Sequence, residues 1–125
     1  MGGEFRAEGE VSLESATIAH DINCDRGEFI NPDAVAFRGD GLRVKGSVFM
    51  RSGFKAEGEV RLVGATMEGQ FNCRGGEFVN PNGFALNADQ LTVDRHLFLN
   101  AGFKAKGTVR LASSRIGGQV NCIGG

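Results

Sequence analysis

The sequence has no tryptophan, no tyrosine and only two prolines among its 125 residues. It has no apolar run near the ~18–20 residues that a transmembrane helix needs, so no membrane span is expected. Its N-terminus does not join a basic segment to an apolar one, which argues against a secretion signal. The formal net charge of −1 gives no reason to expect nucleic acid or an anionic membrane as a partner.

Helical periodicity and clustered metal-binding residues are missing as well. No window repeats apolar residues at the spacing of an amphipathic helix. The two histidines, His20 and His96, occupy unrelated positions, and the three cysteines form no Cys-x-x-Cys pair. We therefore predict no helix, no catalytic residue, no metal site and no cofactor.

What the sequence does have is a repeat of 49 residues. Residues 5–52 and 54–101 share 21 identities in 48 positions without an insertion. The predicted units are 5–53, 54–102 and a partial unit 103–125, together forming a single solenoid domain over 1–125. Both ends lie inside a unit, so we expect a piece of a longer array. Self-similarity at a fixed period is the signature of repeat architectures.

A finer period indicates the fold. Five phenylalanines recur at alternating spacings of 24 and 25 residues, and they are Phe5, Phe29, Phe54, Phe78 and Phe103. Each interval contains four short pairs of alternating apolar residues, the pattern of strands with period two. We predict an all-β, right-handed parallel β-solenoid, or β-helix, with about 24–25 residues per coil, two coils per repeat and four sides. A three-sided coil of about 18 residues is the alternative. The right hand follows the general preference of parallel crossovers.

Stacking the coils predicts columns of inward side chains. One coil cannot bury its own inward face, whereas its neighbours above and below complete a continuous core. The predicted columns are Val11, Val35, Val60, Phe84 and Val109; Leu13, Phe37, Leu62, Leu86 and Leu111; and Ile22, Val48, Phe71, Leu97 and Val120. The Asn31-Pro32 and Asn80-Pro81 pairs indicate corners or small outward loops, because proline has no amide hydrogen for a central ladder.

The outward columns provide the candidate interaction residues. One column is predicted to alternate cations with aliphatic residues, as Arg6, Ile30, Lys55, Val79 and Lys104. Another is predicted to run Asn23, Phe49, Asn72, Phe98 and Asn121, with asparagines able to hydrogen-bond along the stack. Phe49 and Phe98 could form a docking strip, with Lys55 and Lys104 as further contacts.

The three cysteines fall into one inward column. Cys24, Cys73 and Cys122 lie two coils apart, which is about 9.6 Å and beyond the roughly 7 Å limit for a disulfide. We expect buried free thiols, with Cys122 in the last coil as the one that can react. Free core thiols favour a reducing compartment such as the cytoplasm.

The segments "GFKAEGEVRLVGATMEGQFNC" and "GGEFVNPNGFALNADQLTVD" resemble a known repeat family. It comprises uncharacterised bacterial proteins that alternate a GEVRLxGAxIGGQxxC-like unit with an NPxGxALxAD-like unit. The resemblance covers nearly the whole chain and implies a β-solenoid akin to pentapeptide-repeat proteins, without a catalytic residue. The "AEGEV" and "GGQVNC" turns are also distantly similar to bactofilins, whose β-helices polymerise end to end.

Three functional hypotheses follow. The first is a non-enzymatic scaffold or protein-interaction module with an unknown protein partner. The second is a self-assembling oligomer or filament that grows through open coil ends, since edge strands offer unpaired backbone groups. The remote third is a carbohydrate-acting β-helix enzyme, which would need an acidic groove walled by loops.

Overall fold

A computed structural model describes residues 6–123, which form a stack of about five coils made only of strands and turns. All strand pairs are parallel, and each turn of the stack takes about 24 residues. The predicted all-β parallel solenoid is confirmed, whereas its hand stays a prediction. The described residues include no helix that could cross a membrane.

We number the coils by their residues: coil 1 is 6–27, coil 2 is 28–53, coil 3 is 54–76, coil 4 is 77–102 and coil 5 is 103–123. The strands of the first two coils are β1 (Arg6–Glu8), β2 (Val11–Ser12), β3 (Thr17–Ile18), β4 (Ile22–Asn23), β5 (Glu28–Arg38), β6 (Arg43–Val44) and β7 (Val48–Phe49). Those of the other coils are β8 (Lys55–Arg61), β9 (Thr66–Met67), β10 (Phe71–Asn72), β11 (Glu77–Asn87), β12 (Thr92–Val93), β13 (Leu97–Phe98), β14 (Lys104–Arg110), β15 (Arg115–Ile116) and β16 (Val120–Asn121).

The strands assemble into three sheets that run along the stack. Sheet 1 has the order β1-β5-β8-β11-β14, with β2 also paired to β5. Sheet 2 has the order β3-β6-β9-β12-β15, and sheet 3 the order β4-β7-β10-β13-β16. The four apolar segments of an inner coil therefore occupy three hydrogen-bonded sheets, because the first two segments lie on one long strand. The alternative coil of 18 residues is wrong.

Sheet 3 has the register that the repeat predicts. Val48 pairs with both Ile22 and Phe71, and Leu97 pairs with both Phe71 and Val120. Inward residues of the three inner coils are fully buried in this column. The predicted third column is thus confirmed.

Sheet 1 departs from the predicted register in both halves. In the first half Phe29 pairs with Ala7 and Ala56, so Glu28 and not Ile30 lies opposite Lys55.

The second half of sheet 1 departs as well. Val11 pairs with Phe37 instead of Val35, and Phe37 in turn pairs with Val60. The register shifts between Ile30 and Val35, where the chain leaves the ladder, and again between Val35 and Phe37. Extra residues in one strand of a pair move every following residue along its partner. The first two predicted columns are therefore wrong in coils 2 and 4.

The second column, predicted to contain Leu13, Phe37 and Leu62, instead alternates large and small side chains. Backbone bonds from the Leu13 N–H to Arg38 O and from the Gly39 N–H to Arg61 O place Gly39 between Leu13 and Leu62. Built onto Gly39, a Cβ would lie 2.8 Å from Cδ2 of Leu62. Ala88 takes the same place beside Leu62 one coil further on. Small residues here leave the volume that the leucines fill, as close packing requires.

The phenylalanine period seen in the sequence appears as a stack of rings. Ring centroids are 5.5 Å apart for Phe29 and Phe54, 5.2 Å for Phe54 and Phe78, and 5.3 Å for Phe78 and Phe103. Phe5 lies outside the described residues. These rings form the centre of a core that runs without interruption through the inner coils.

Both Asn-Pro pairs lie in outward loops within the long strands, as predicted. The Asn31 Nδ2 donates a 2.9 Å hydrogen bond to Val35 O, and the Asn80 Nδ2 donates one of 2.9 Å to Phe84 O. Each asparagine side chain thus closes its own loop. Pro32 and Pro81 are exposed, so their missing amide hydrogens break no ladder bond.

Candidate interaction surfaces

The outward positions of sheet 3 form a side that we call the phenylalanine side. It consists of Asn23, Phe49, Asn72, Phe98 and Asn121, paired in that order. Phe49 and Phe98 are half-buried, two coils apart, and Asn72 between them is only 5% exposed. The predicted column is confirmed, while the role of the two phenylalanines as a docking strip stays a prediction.

Both rings on this side already have partners within the chain. The Arg51 guanidinium lies over the Phe49 ring at 4.3 Å from its centroid, a cation–π contact. Asp25 holds that guanidinium through hydrogen bonds of 2.7 Å from Nη2 and 3.1 Å from Nε. The His96 ring lies 5.7 Å from the Phe98 ring. These contacts reduce the apolar surface that the side offers to a partner.

The asparagines of this side make local hydrogen bonds instead of a ladder. The N–H of the residue two positions on donates to each Oδ1: Asp25 to Asn23 at 2.9 Å, Arg74 to Asn72 at 3.1 Å, and Ile123 to Asn121 at 3.1 Å. A phenylalanine separates successive asparagines, so their amides do not meet. Each asparagine shapes the turn that follows its strand.

Lys55 and Lys104 lie on the outward face of sheet 1, and their neighbours differ from the predicted ones. Lys55 pairs with Glu28 and Glu77, and Glu77 pairs with Lys104. The column therefore alternates cations with carboxylates, not with aliphatic residues. Lys55 Nζ also lies 3.5 Å from Oε1 of Glu57. A column of mixed charge attracts a charged partner less strongly than a row of cations would. The role of these two lysines as interaction residues stays a prediction.

Sequence reasoning missed an ion network between coils. Asp40 accepts hydrogen bonds from Arg61 Nε at 2.8 Å, from Arg38 Nη1 at 3.3 Å and from the Val63 N–H at 3.2 Å. Arg38 Nε also donates to Glu10 at 2.9 Å, so three successive coils are joined. The hydrogen bond to Asp40 raises the pKa of Arg61 above its ordinary value. A network of several charges contributes more to stability than a single exposed ion pair does.

The repeat carries a second copy of this contact. Arg110 Nε lies 2.7 Å from Asp89 Oδ2, and the Ala112 N–H donates to Asp89 Oδ1 at 3.0 Å. Asp40 and Asp89 are repeat equivalents, as are Arg61 and Arg110. The sequence therefore contains an indication of this contact, because the aspartate and the arginine both recur after 49 residues.

His96 has a structural role in the stack. Its Nδ1 accepts a 2.9 Å hydrogen bond from the Gln119 N–H. In the preceding repeat Ser47 Oγ accepts the N–H of Gln70 at 3.0 Å in the same way. Within residues 6–123, no three histidine, cysteine, aspartate or glutamate side chains come together as a metal-ligand group.

A shallow pocket of about 270 Å³ lies between the two Asn-Pro loops. Its lining comprises Asp33, Ala34, Val35, Glu59, Asn80, Asn82, Gly83 and Phe84. The Glu59 carboxylate lies 3.5 Å from Arg61 Nη1, so it belongs to the ion network. Because its lining includes the Asp33 and Glu59 carboxylates, a Glu59→Gln variant of this pocket can test the remote enzyme hypothesis.

The three cysteines are free thiols in the predicted column. Cys24 and Cys73 are buried, whereas Cys122 is exposed on coil 5. Burial raises the pKa of Cys24 to about 12 and raises that of Cys73 well above its ordinary value. Localisation in a reducing compartment stays a prediction.

We expect one fast-reacting thiol in the dilute native chain. At pH 8 a thiol reagent such as Ellman's should label Cys122 in seconds to minutes, because it is the accessible one. Cys24 and Cys73 should react only on unfolding, since burial hides them and suppresses their thiolates. Labelling of a Cys122→Ser variant is the control. Fast release of more than one equivalent by the wild type would contradict the buried placement.

No protein family, no curated protein and no solved structure shows significant similarity to the chain. The resemblance to the bacterial repeat family and to bactofilins therefore stays a prediction.

Proposed function

We propose that this protein is a structural scaffold, and that copies of the 125-residue chain join through the open edges of coils 1 and 5. The observation that carries the proposal is the pairing of the end strands. In the described part of the chain, every strand of coils 2–4 has a partner on both sides, whereas the strands of coils 1 and 5 have one on a single side. A row of unpaired N–H and C=O groups is a template for another strand.

An exposed core residue at coil 5 supports the same proposal. Val120 is 52% exposed, while its column neighbour Leu97 is fully buried. Ile123 is 82% exposed too, at the turn position that Arg74 occupies one repeat earlier. Each repeat of a solenoid buries its inward face against the next one, so uncovered apolar residues at an edge favour association. The phenylalanine side is a weaker candidate, because Arg51 and His96 already contact its rings.

We also propose that the protein is not an enzyme. Several of its acid–base groups are engaged in bonds between coils: Asp25 and Asp40 hold arginines, and His96 accepts a backbone N–H. Turnover in a polysaccharide panel, lost in a Glu59→Gln variant, would overturn this proposal.

The test of assembly is the mass in solution, followed by light scattering over a hundredfold range of concentration. We expect the mass to rise with concentration in whole multiples of the monomer, because each added copy creates a new open edge. Reaction of Cys122 with a thiol reagent should slow in parallel as coil 5 becomes covered.

The control is a chain with Phe49→Ser and Phe98→Ser together. If the ends carry the contact, this variant should assemble like the wild type. A monomer mass that stays constant over the whole range would refute edge association. Loss of assembly in the double variant alone would move the contact to the phenylalanine side.

A further inference from the structure

We infer that the copies join head to tail, with coil 5 of one copy stacked on coil 1 of the next through opposite charges. This inference rests on the proposed edge association and names its partner, a second copy of the chain, and its polarity. It depends on three features of the end coils: their charge, their strand type and their uncovered core residues.

The two end coils carry opposite charge. Coil 1 contains five carboxylates and two arginines, and its carboxylates are Glu8, Glu10, Glu14, Asp21 and Asp25. Coil 5 contains four cations and no carboxylate, and the cations are Lys104, Lys106, Arg110 and Arg115. The chain as a whole has a net charge of only −1, so the difference lies between its ends.

The strands at the two ends also match. β14 and the segment 6–12 are repeat equivalents without an Asn-Pro loop, and each has a glycine of positive φ, Gly107 and Gly9. In-register stacking places Lys106 against Glu8 and Arg110 beside Glu10. Within the chain Arg38 of coil 2 binds Glu10 of the neighbouring coil 1 at 2.9 Å. One like-charge contact, Lys104 against Arg6, opposes these attractions.

The same register covers the exposed core. Val120 would lie against Ile22, as Val48 does within the chain. Asn121 would lie against Asn23. The inward column of sheet 3 thus continues from one copy into the next without a change of position.

Charge favours the head-to-tail arrangement over the two symmetric ones, head-to-head and tail-to-tail. A head-to-head joint brings together two copies of coil 1, in which carboxylates outnumber cations, and a tail-to-tail joint brings together two copies of coil 5, which has only cations. Glu10, Asp21 and Asp25 already accept hydrogen bonds from coil 2, so Glu8 and Glu14 are the carboxylates that a second copy would meet. Like charges placed across an interface are strongly unfavourable. A head-to-tail contact is heterologous, and because simple stacking brings about no closure it yields an open filament.

Two charge-reversed chains test the inference. The first carries Glu8→Lys and Glu14→Lys, which leaves coil 1 with more cations than carboxylates while keeping the Glu10–Arg38 pair. The second carries Lys104→Glu, Lys106→Glu and Arg115→Glu, which leaves coil 5 with more carboxylates than cations while keeping the Arg110–Asp89 pair. All changed residues are exposed, so the fold should persist, as circular dichroism can verify.

Each variant alone should need a concentration at least about tenfold higher than the wild type to assemble, since its two ends repel. An equimolar mixture should assemble again, because each variant now offers an end that complements the other. Added salt should weaken assembly of the wild type by screening the exposed charges.

The outcomes separate this inference from the proposed function. Variants that assemble as readily as the wild type, or a mixture that does not recover, overturn the head-to-tail charge contact and leave edge association standing. A wild-type chain that stays monomeric overturns both. Recovery only on mixing supports both, and it cannot come from a variant that fails to fold.

Discussion

Replacing Phe54 with alanine is expected to lower the free energy of unfolding by about 3–5 kcal/mol. The Phe54 side chain is fully buried, and its ring lies between those of Phe29 and Phe78 at 5.5 and 5.2 Å. Its loss leaves a cavity in the middle of the ring stack, where coils on both sides are held by backbone ladders and cannot collapse into it. Urea unfolding followed by circular dichroism measures the change, because the chain has no tryptophan or tyrosine for fluorescence.

The matched control is Phe98→Ala on the outward side of sheet 3. Phe98 is half-buried and contacts the His96 ring, so its removal should cost about 1 kcal/mol. The substitution also leaves intact the backbone pairing of residue 98 with Asn72 on one side and with Asn121 on the other. Equal losses for the two variants would contradict the assignment of one ring to the core and the other to the surface.

The Phe54 prediction could have been made from the sequence, because the ring stack follows its period directly. Phenylalanines recur at 24 and 25 residues, and the structure brings the rings of Phe29, Phe54, Phe78 and Phe103 together, although Phe29 and Phe78 pair along the ladder with Ala56. The register of sheet 3 follows in the same way, since its two-residue strands contain no insertion. Short strands with fixed spacing leave no freedom of register.

The register of sheet 1 could not be predicted from the alternation alone. Between Asp33 and Phe37 the apolar residues are continuous, so either Val35 or Phe37 can face Val11. The structure buries Ala36 and Phe37 side by side, which a simple alternation forbids. The length of the Asn31 loop decides between the two, and hydrophobic periodicity does not encode loop length. A shift along a ladder changes every following partner.

A separate offset in the first half of sheet 1 explains what sequence reasoning missed among the surface contacts, because Phe29 pairs with Ala56 and not with Phe54. Glu28 and Glu77 immediately precede the core residues Phe29 and Phe78, yet the predicted register set Ile30 and Val79 beside the lysines. The true register sets the two glutamates there. The Asp40–Arg61 contact was visible as a repeat of both residue types, but only the coil geometry shows that the two side chains meet.

Replacing Gly58 with alanine is the second change with a large expected effect, a loss of about 2–4 kcal/mol in the free energy of unfolding. Gly58 has a φ of +121°, a conformation that residues with a Cβ rarely adopt. A Cβ at this position would lie 2.5 Å from Asn31 O and 3.0 Å from Ala34 O. Both atoms are backbone of the outward loop, which Asn31 holds closed through its bond to Val35 O. The loop therefore cannot move aside without losing its own hydrogen bond.

Gly64→Ala in the same coil separates backbone strain from this close approach. Gly64 also has a positive φ, +69°, but a Cβ there would meet nothing within 4 Å. Its substitution should cost only about 1 kcal/mol, the cost of a left-handed conformation for a non-glycine residue. Gly9 of coil 1 is the repeat equivalent of Gly58, and a Cβ at Gly9 would also meet nothing within 4 Å. The close approach at Gly58 is therefore not a property of the repeat position alone. If Gly58→Ala lowered the free energy of unfolding in urea no more than Gly64→Ala does, the Asn31 loop would not pack against Gly58 as described. A larger cost at Gly58 alone supports this contact, which recurs with the repeat, because a Cβ at Gly107 would meet the backbone of the Asn80 loop in the same way.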